Sequence, residues 1–143
     1  MSAFEELMQF QHDTEALGQV AGRLGWDQET MMPRGAADQR AEEMAAMESV
    51  LHARRTHPRV GEWLDQIVDG TLDEVGQAQM RHIRKSYART MKVPPELAAK
   101  IAKVTSKSQG QWAQARSDED VAAFLPVLEE VVALKREEGQ ALA

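Results

Sequence analysis

The organisation of the chain depends on one stretch, Leu24-Gly25-Trp26-Asp27-Gln28-Glu29-Thr30-Met31-Met32-Pro33, which continues into Arg34-Gly35-Ala36-Ala37. Helical patterns lie on both sides of it. Gly25 is typical of a helix C-terminus, and Pro33 disfavours helical backbone at the preceding residue. Connectors are normally polar, but a tryptophan and two methionines make this one apolar. We therefore predict a buried joint that sets how two long helices meet, with the structural residues Trp26, Asp27, Thr30, Met32 and Pro33.

Apolar residues at steps of three and four along the chain predict about six helices and no strand. The first predicted helix covers residues 3–24. The second runs from Gly35 to about Thr56, and the third from Pro58 to Val68. The fourth would begin at a capping box of Thr71 and Glu74 and end before Pro94, and the fifth would run from Pro95 through Trp112. The pattern is that of a single all-α domain over residues 1–143, built from helical hairpins.

The C-terminal part carries weaker signals. Ser117 and Asp120 match an N-cap pair that would open a short turn over Asp118 to Leu125, and Pro126 would break or restart the helix after it. The last residues show no clear stop, so we expect a chain that is cut rather than finished. Trp63 and Trp112 sit on apolar faces, and we predict a core position for both. Trp26, in the joint, could be core or part of a ligand cleft, and we favour core because no convergent polar group accompanies it.

Composition sets the broad class. The 143 residues are 43% hydrophobic and 28% charged, without any cysteine. These fractions fit a folded domain, and no apolar run approaches the roughly 18 residues that span a membrane. The N-terminus has no basic flank or apolar signal core, and the missing thiols fit a reducing compartment. We expect a cytoplasmic protein without a membrane partner.

The net charge of −6 is unevenly distributed. Residues 81–116 contain nine basic residues and one acid, whereas the rest of the chain is strongly acidic. Four cations at helical spacing form a candidate surface for an anionic partner: Arg81, Lys85, Arg89 and Lys92. The alternative is that the cations face solvent or acidic neighbouring helices. We favour the alternative and expect no nucleic acid partner, because the chain is acidic overall and no aromatic residue interleaves with the cations.

Motifs for catalysis are missing. None of the four histidines has a second histidine four residues away, so the helical zinc signature His-Glu-x-x-His is absent. No glycine-rich phosphate loop or nucleophile elbow occurs either. The histidines are expected to be surface or capping residues, with His57 before Pro58 as the best case of a local role at a helix start. We predict no catalytic residue and no metal ligand in this chain.

Several segments together are similar to one peptidase family. Residues 24–33 with Gly35-Ala36 and Arg40-Ala41-Glu42 resemble the N-terminal region of the M32 metallocarboxypeptidases, the carboxypeptidase Taq family. The resemblance continues, in the right order, through Tyr87-Ala88-Arg89, Val93-Pro94-Pro95-Glu96-Leu97, Trp112-Ala113-Gln114-Ala115-Arg116 and Phe124-Leu125-Pro126-Val127-Leu128-Glu129.

The resemblance implies an all-helical, zincin-type enzyme much longer than this chain, which removes single residues from peptide C-termini. Its metal, zinc or cobalt, and its His-Glu-x-x-His helix lie further along the sequence, so none of its catalytic residues corresponds to a position here. The implied role of the N-terminal helices is to wall the substrate groove. The implied partners are the remainder of the parent peptidase and its peptide substrate.

A different class of function is compatible with the same residues. A free-standing helical interaction module, such as a homodimer, would also show amphipathic helices without catalytic motifs. The two hypotheses differ in whether apolar helix faces are covered by the same chain, by a second copy or by another part of a longer protein.

Overall fold

The computed structural model describes all 143 residues, and its secondary structure is entirely helical. The six α-helices are α1 (Ala3–Thr30), α2 (Ala37–Arg55), α3 (Pro58–Gln66), α4 (Glu74–Lys92), α5 (Pro95–Ser117) and α6 (Val121–Leu142). Short 3-10 turns at Arg34–Ala36 and Asp69–Thr71 precede α2 and α4. The predicted all-α class and the predicted number of helices are confirmed.

The first helix is longer than the sequence pattern predicts. It does not end at Gly25 but continues to Thr30, because glycine is tolerated inside a helix at a cost of about 1 kcal/mol. Pro33 sets the end instead. The carbonyl of Asp27 accepts both the Met31 and the Met32 N–H at 2.9 Å, which closes the last turn just before the proline.

Side-chain caps fix the starts of four helices. The Ser2 hydroxyl and the Glu5 backbone N–H, 3.2 Å apart, form one half of a capping box at α1. His57 caps α3 by accepting the Arg59 N–H at 3.1 Å, which confirms its predicted local role. The helix α4 is capped by Asp73, so the prediction of Thr71 as its cap is wrong. The hydroxyl of Thr71 instead donates to the Val68 carbonyl inside the 3-10 turn.

The start of α6 also differs from the prediction. Ser117 is the last residue of α5, and Asp120 alone caps α6 by accepting the Ala123 N–H at 3.0 Å. Pro126 lies inside α6 and does not break it. The proline removes one backbone donor near the helix start, where the side-chain cap and the packing on α5 compensate for one missing bond.

The hydrophobic core is small and lies where the first half of α1 meets α3 and α4. Its buried members are Leu7, Val60, Trp63, Leu64, Ile67 and Met80. Phe10 packs against the Trp63 ring with centroids 5.5 Å apart. The core position predicted for Trp63 is therefore confirmed.

A second packing region joins α2, α5 and α6, with α2 against α5 as its most extensive contact. Small side chains allow the close approach, and the buried ones include Ala41, Ser106 and Ala115. Trp112, on α5, was predicted to be core, but its side chain is 50% exposed. At Trp112, the last apolar position of α5, the apolar side of the helix no longer faces the helix contact. Helical spacing alone does not reveal this.

Candidate functional site

The joint (Trp26, Asp27, Thr30, Met32 and Pro33) lies at the corner between α1 and α2. Arg40, on the first turns of α2, reaches back across this corner. Its guanidinium donates to Asp27 Oδ2 at 2.5 Å, to Glu43 Oε2 at 2.9 Å and to the Leu24 carbonyl at 2.6 Å. The bond to Asp27, followed by the contact with Glu43, raises the pKa of Arg40 above its ordinary value. The corner is thus held by a charged clamp from α2 to α1.

The same corner is tied to α5. Gln28 and the buried Ser106 exchange two hydrogen bonds: the Gln28 amide donates to the Ser106 carbonyl at 2.7 Å, and the Ser106 hydroxyl donates to Gln28 Oε1 at 2.8 Å. Arg34 donates to Gln114 Oε1 at 2.9 Å. A pocket of about 420 Å³, lined by residues such as Gln28, Arg34 and Gln114, lies between the joint and α5. Three helices therefore meet at the joint.

The burial predicted for the joint is wrong, because none of its five residues is buried and Thr30 and Pro33 are exposed. Trp26 is 63% exposed, so its predicted core position is also wrong, and Met31 points largely into solvent. Asp27, Thr30, Met32 and Pro33 lie at the corner as expected. Thr30 donates its hydroxyl to the Trp26 carbonyl at 2.7 Å within the last turn of α1. Because Trp26 is helical, its direction follows from the turn of α1, which carries it away from α2 and α5.

The predicted basic surface lies on the exposed side of α4. Arg81, Lys85, Arg89 and Lys92 are all exposed, and none of them forms an ion pair. Other cations of the same basic segment do pair with acidic neighbours, as the alternative anticipated. Lys103 pairs with Glu42 and Lys107 with Asp38, both across the α2–α5 contact, and Arg84 pairs with Asp69.

The histidines do not cluster. His12 and His82 are exposed. His52 is buried, and its Nε2 lies 2.7 Å from the Val93 carbonyl, so it is a core residue rather than a surface one. No group of three or more His, Cys, Asp or Glu side chains is arranged to hold a metal ion. The donor atoms of this chain therefore do not fit a resident metal.

The sequence reading missed an exposed apolar surface on α6. Val121, Leu125, Leu128 and Val132, here called the α6 apolar face, are between 38% and 72% exposed. Their spacing of four, three and four residues puts them on one side of the helix. That spacing is visible in the sequence, but spacing does not show which side of α6 the rest of the chain covers. The structure buries Leu134 instead.

Trp112 extends this surface across the turn between α5 and α6. A pocket of about 320 Å³ is lined by Trp112, Val121 and Phe124 together with residues of the turn. The turn contains Glu119 with φ = 53°, the one residue other than glycine in the left-handed region. The Asp120 N–H bonds to the Ala115 carbonyl at 2.9 Å, as in a Schellman helix end.

None of the six helices combines the length and the apolar character needed to cross a membrane.

Comparison with known proteins gives consistent results. Residues 6–143 match the carboxypeptidase Taq (M32) metallopeptidase family. Thermostable carboxypeptidase 1 of Thermus thermophilus is 36% identical over 99% of this chain, which spans 28% of that protein. The solved structure of Trypanosoma cruzi metallocarboxypeptidase 1 superposes with a TM-score of 0.72 at 28% identity, covering 97% of this chain and 28% of that one.

The carboxypeptidase of Pyrococcus furiosus has the same fold over the whole chain, with a TM-score of 0.75 at 20% identity, and the match covers 29% of that protein. The chain thus spans less than a third of the length of the relatives it matches. The family match covers nearly every residue, including the joint and the turn before α6. This chain belongs to the carboxypeptidase Taq (M32) metallopeptidase family.

Proposed function

We propose that the chain is the N-terminal, non-catalytic part of a cytoplasmic, metal-dependent carboxypeptidase, and that residues 1–143 form one helical domain that walls the substrate groove. The parent enzyme would remove C-terminal residues from peptides and would carry zinc or cobalt. The observation that supports this proposal most directly is the 36% identity over 99% of the chain to only 28% of a carboxypeptidase.

The chemistry of this chain agrees with a role outside the reaction. The side chains described here do not fit a metal site, so the proposal puts the metal ligands in another part of the parent. What these helices can supply is shape. A wall of packed helices limits access to chain ends and excludes bulk water from the groove, which contributes to specificity without chemistry.

An exchange of segments tests the proposal. The matched segment of the Thermus thermophilus carboxypeptidase would be replaced by this chain, and the hybrid would be compared with the same enzyme lacking the segment. We expect chelator-sensitive peptidase activity in the hybrid and none in the deletion variant. The isolated chain, supplied with zinc or cobalt, should release no C-terminal residue. Chelator-sensitive turnover by the pure chain, or a folded hybrid without activity, would contradict the proposal.

A second candidate function is a free-standing helical module that forms a homodimer. The exposed α6 apolar face favours it, because a contiguous apolar surface promotes association. Sedimentation velocity separates the two candidates. A concentration-dependent dimer that dissociates when Leu125 and Leu128 are replaced by glutamate would favour the module, and a monomer at all concentrations would exclude the homodimer.

The basic surface of α4 remains a minor proposal for an anionic partner. Its support is the absence of ion pairs at Arg81, Lys85, Arg89 and Lys92, whereas other cations of the segment are paired. The acidic balance of the whole chain opposes nucleic acid as that partner. Titration with single- and double-stranded oligonucleotides at low salt checks this, and binding that weakens steeply with added salt would reverse the expectation.

A further inference from the structure

The last helix has two apolar sides. One side packs inward through Leu134, with Phe124, Val127 and Val131 half-buried beside it. The other side is the α6 apolar face, whose side chains stay between 38% and 72% exposed. A helix on the surface of a globular protein has one apolar stripe, whereas a helix that is apolar on several sides is typical of an interior position. The first half of α6 is therefore apolar over a wider sector than this chain buries.

The pattern of the uncovered side indicates what fits on it. Steps of four, three and four residues between Val121 and Val132 are those of a seam between two packed helices. The seam continues into the pocket between Trp112 and Val121, which offers room for a large side chain at its end. Glu129 borders this face and disfavours an anionic membrane surface as the occupant.

We infer that the α6 apolar face and Trp112 form the contact through which this chain packs against the rest of its parent peptidase, and that the occupant is an apolar helix of that remaining part. The inference rests on the proposed function. Its support is that this chain spans only 28% of the Thermus thermophilus protein, so most of that protein has no counterpart in the chain. A second copy of this chain is the competing occupant.

Thiol labelling tests the inference without relying on activity. The chain contains no cysteine, so a single substitution gives a unique label site. Leu128→Cys would report on the α6 apolar face, and His12→Cys, at an exposed polar position on α1, would serve as the matched control. Each variant would be labelled as the isolated chain and inside the hybrid with the Thermus thermophilus enzyme, and mass spectrometry would assign the labelled peptide.

In the isolated chain we expect both positions to react, with position 12 the faster because His12 is 78% exposed and Leu128 42% exposed. In the hybrid, labelling at 128 should slow on the order of tenfold or more, because a packed contact must open before the thiol reacts, whereas position 12 should stay reactive. Equal labelling of position 128 in the isolated chain and in an active hybrid would overturn this inference and leave the proposed function standing. An inactive hybrid would count against the proposed function separately.

Two measurements on the isolated chain keep the inference testable even if the hybrid fails to fold. Protection of position 128 that appears as the concentration of the isolated chain rises would identify a second copy as the occupant and overturn the inference. The double variant L125E/L128E should bind less of an apolar dye while keeping the thermal midpoint of the wild type. A large fall in that midpoint would mean that these side chains support the fold itself, which would also overturn the inference.

Discussion

Replacement of Arg40 by methionine is the most direct test of how the corner is held. The substitution keeps the apolar stem and removes the guanidinium. Arg40 is only 12% exposed, and it bridges Asp27, Glu43 and the Leu24 carbonyl at 2.5, 2.9 and 2.6 Å. The variant therefore loses the clamp between α1 and α2 without creating a large cavity.

The size of the effect follows from the exposure of the partners. A hydrogen bond to a charged group can contribute about 1.5–3 kcal/mol when it is protected from water. The carboxylates of Asp27 and Glu43 are 38% exposed and can be hydrated again, so each pair is closer to about 0.5–1 kcal/mol. With about 0.5 kcal/mol for the carbonyl contact, the free energy of unfolding should fall by about 2 kcal/mol. At about 3 °C per kcal/mol, the thermal midpoint should fall by about 6 °C.

Urea denaturation followed by circular dichroism measures this change. The matched control is Arg23→Met, because Arg23 is exposed on α1 and forms no ion pair. The control should change the free energy of unfolding by less than about 0.5 kcal/mol. A cycle with Asp27→Asn should show a coupling energy of about 1 kcal/mol between the two side chains. If Arg40→Met is as stable as the control, the clamp contributes nothing and the account of the corner is refuted.

Three further changes address other parts of the fold. Glu119→Gly should raise the free energy of unfolding by about 1 kcal/mol in urea titrations, because glycine adopts the left-handed backbone at φ = 53° without strain, and a loss of stability would contradict this. Gly61→Ala should not yield the gain of about 1 kcal/mol that alanine brings inside a helix, since the added methyl would lie 2.8 Å from the Tyr87 hydroxyl oxygen. The same substitution in the Tyr87→Phe variant should show that gain in urea titrations, and an equal effect in both backgrounds would contradict this. The indole N–H of Trp63 lowers the pKa of Glu6 below its ordinary value of 4.5, so Glu6 stabilises the fold above that pH and loses this contribution as the pH falls through its folded pKa. The thermal midpoint of Glu6→Gln should therefore decrease less than that of the wild type upon acidification, and parallel decreases would count against the assignment.

Much of the helical layout could be predicted from local signals. Proline at the first positions of α3 and α5 marked both starts, and the apolar periodicity identified all six helices. The helix ends were harder, because a glycine signals an end only when the backbone turns left-handed there. Gly25 stays helical, while the left-handed residue that ends α5 is Glu119. Composition gives no warning of a glutamate in that conformation.

The side-chain environment was predicted less well than the helices. Periodicity shows that a helix has an apolar side, but it does not show whether this chain covers that side. By spacing, Trp112 therefore matches a core position, although its side chain is 50% exposed. The tertiary contacts of the joint, such as Gln28 with Ser106, join residues far apart in the chain and could not be read from spacing at all.

The length of α1 has a mechanical consequence. Its 28 residues extend about 42 Å and connect the small core at Leu7 with the three-helix corner at Gln28. Between these anchors, Gly18 and Gly22 have no atom within 4 Å of the position a Cβ would occupy, and each weakens the helix by about 1 kcal/mol relative to alanine. Because Arg54 of α2 also holds Thr14, thermal bending of α1 should concentrate between residues 18 and 22.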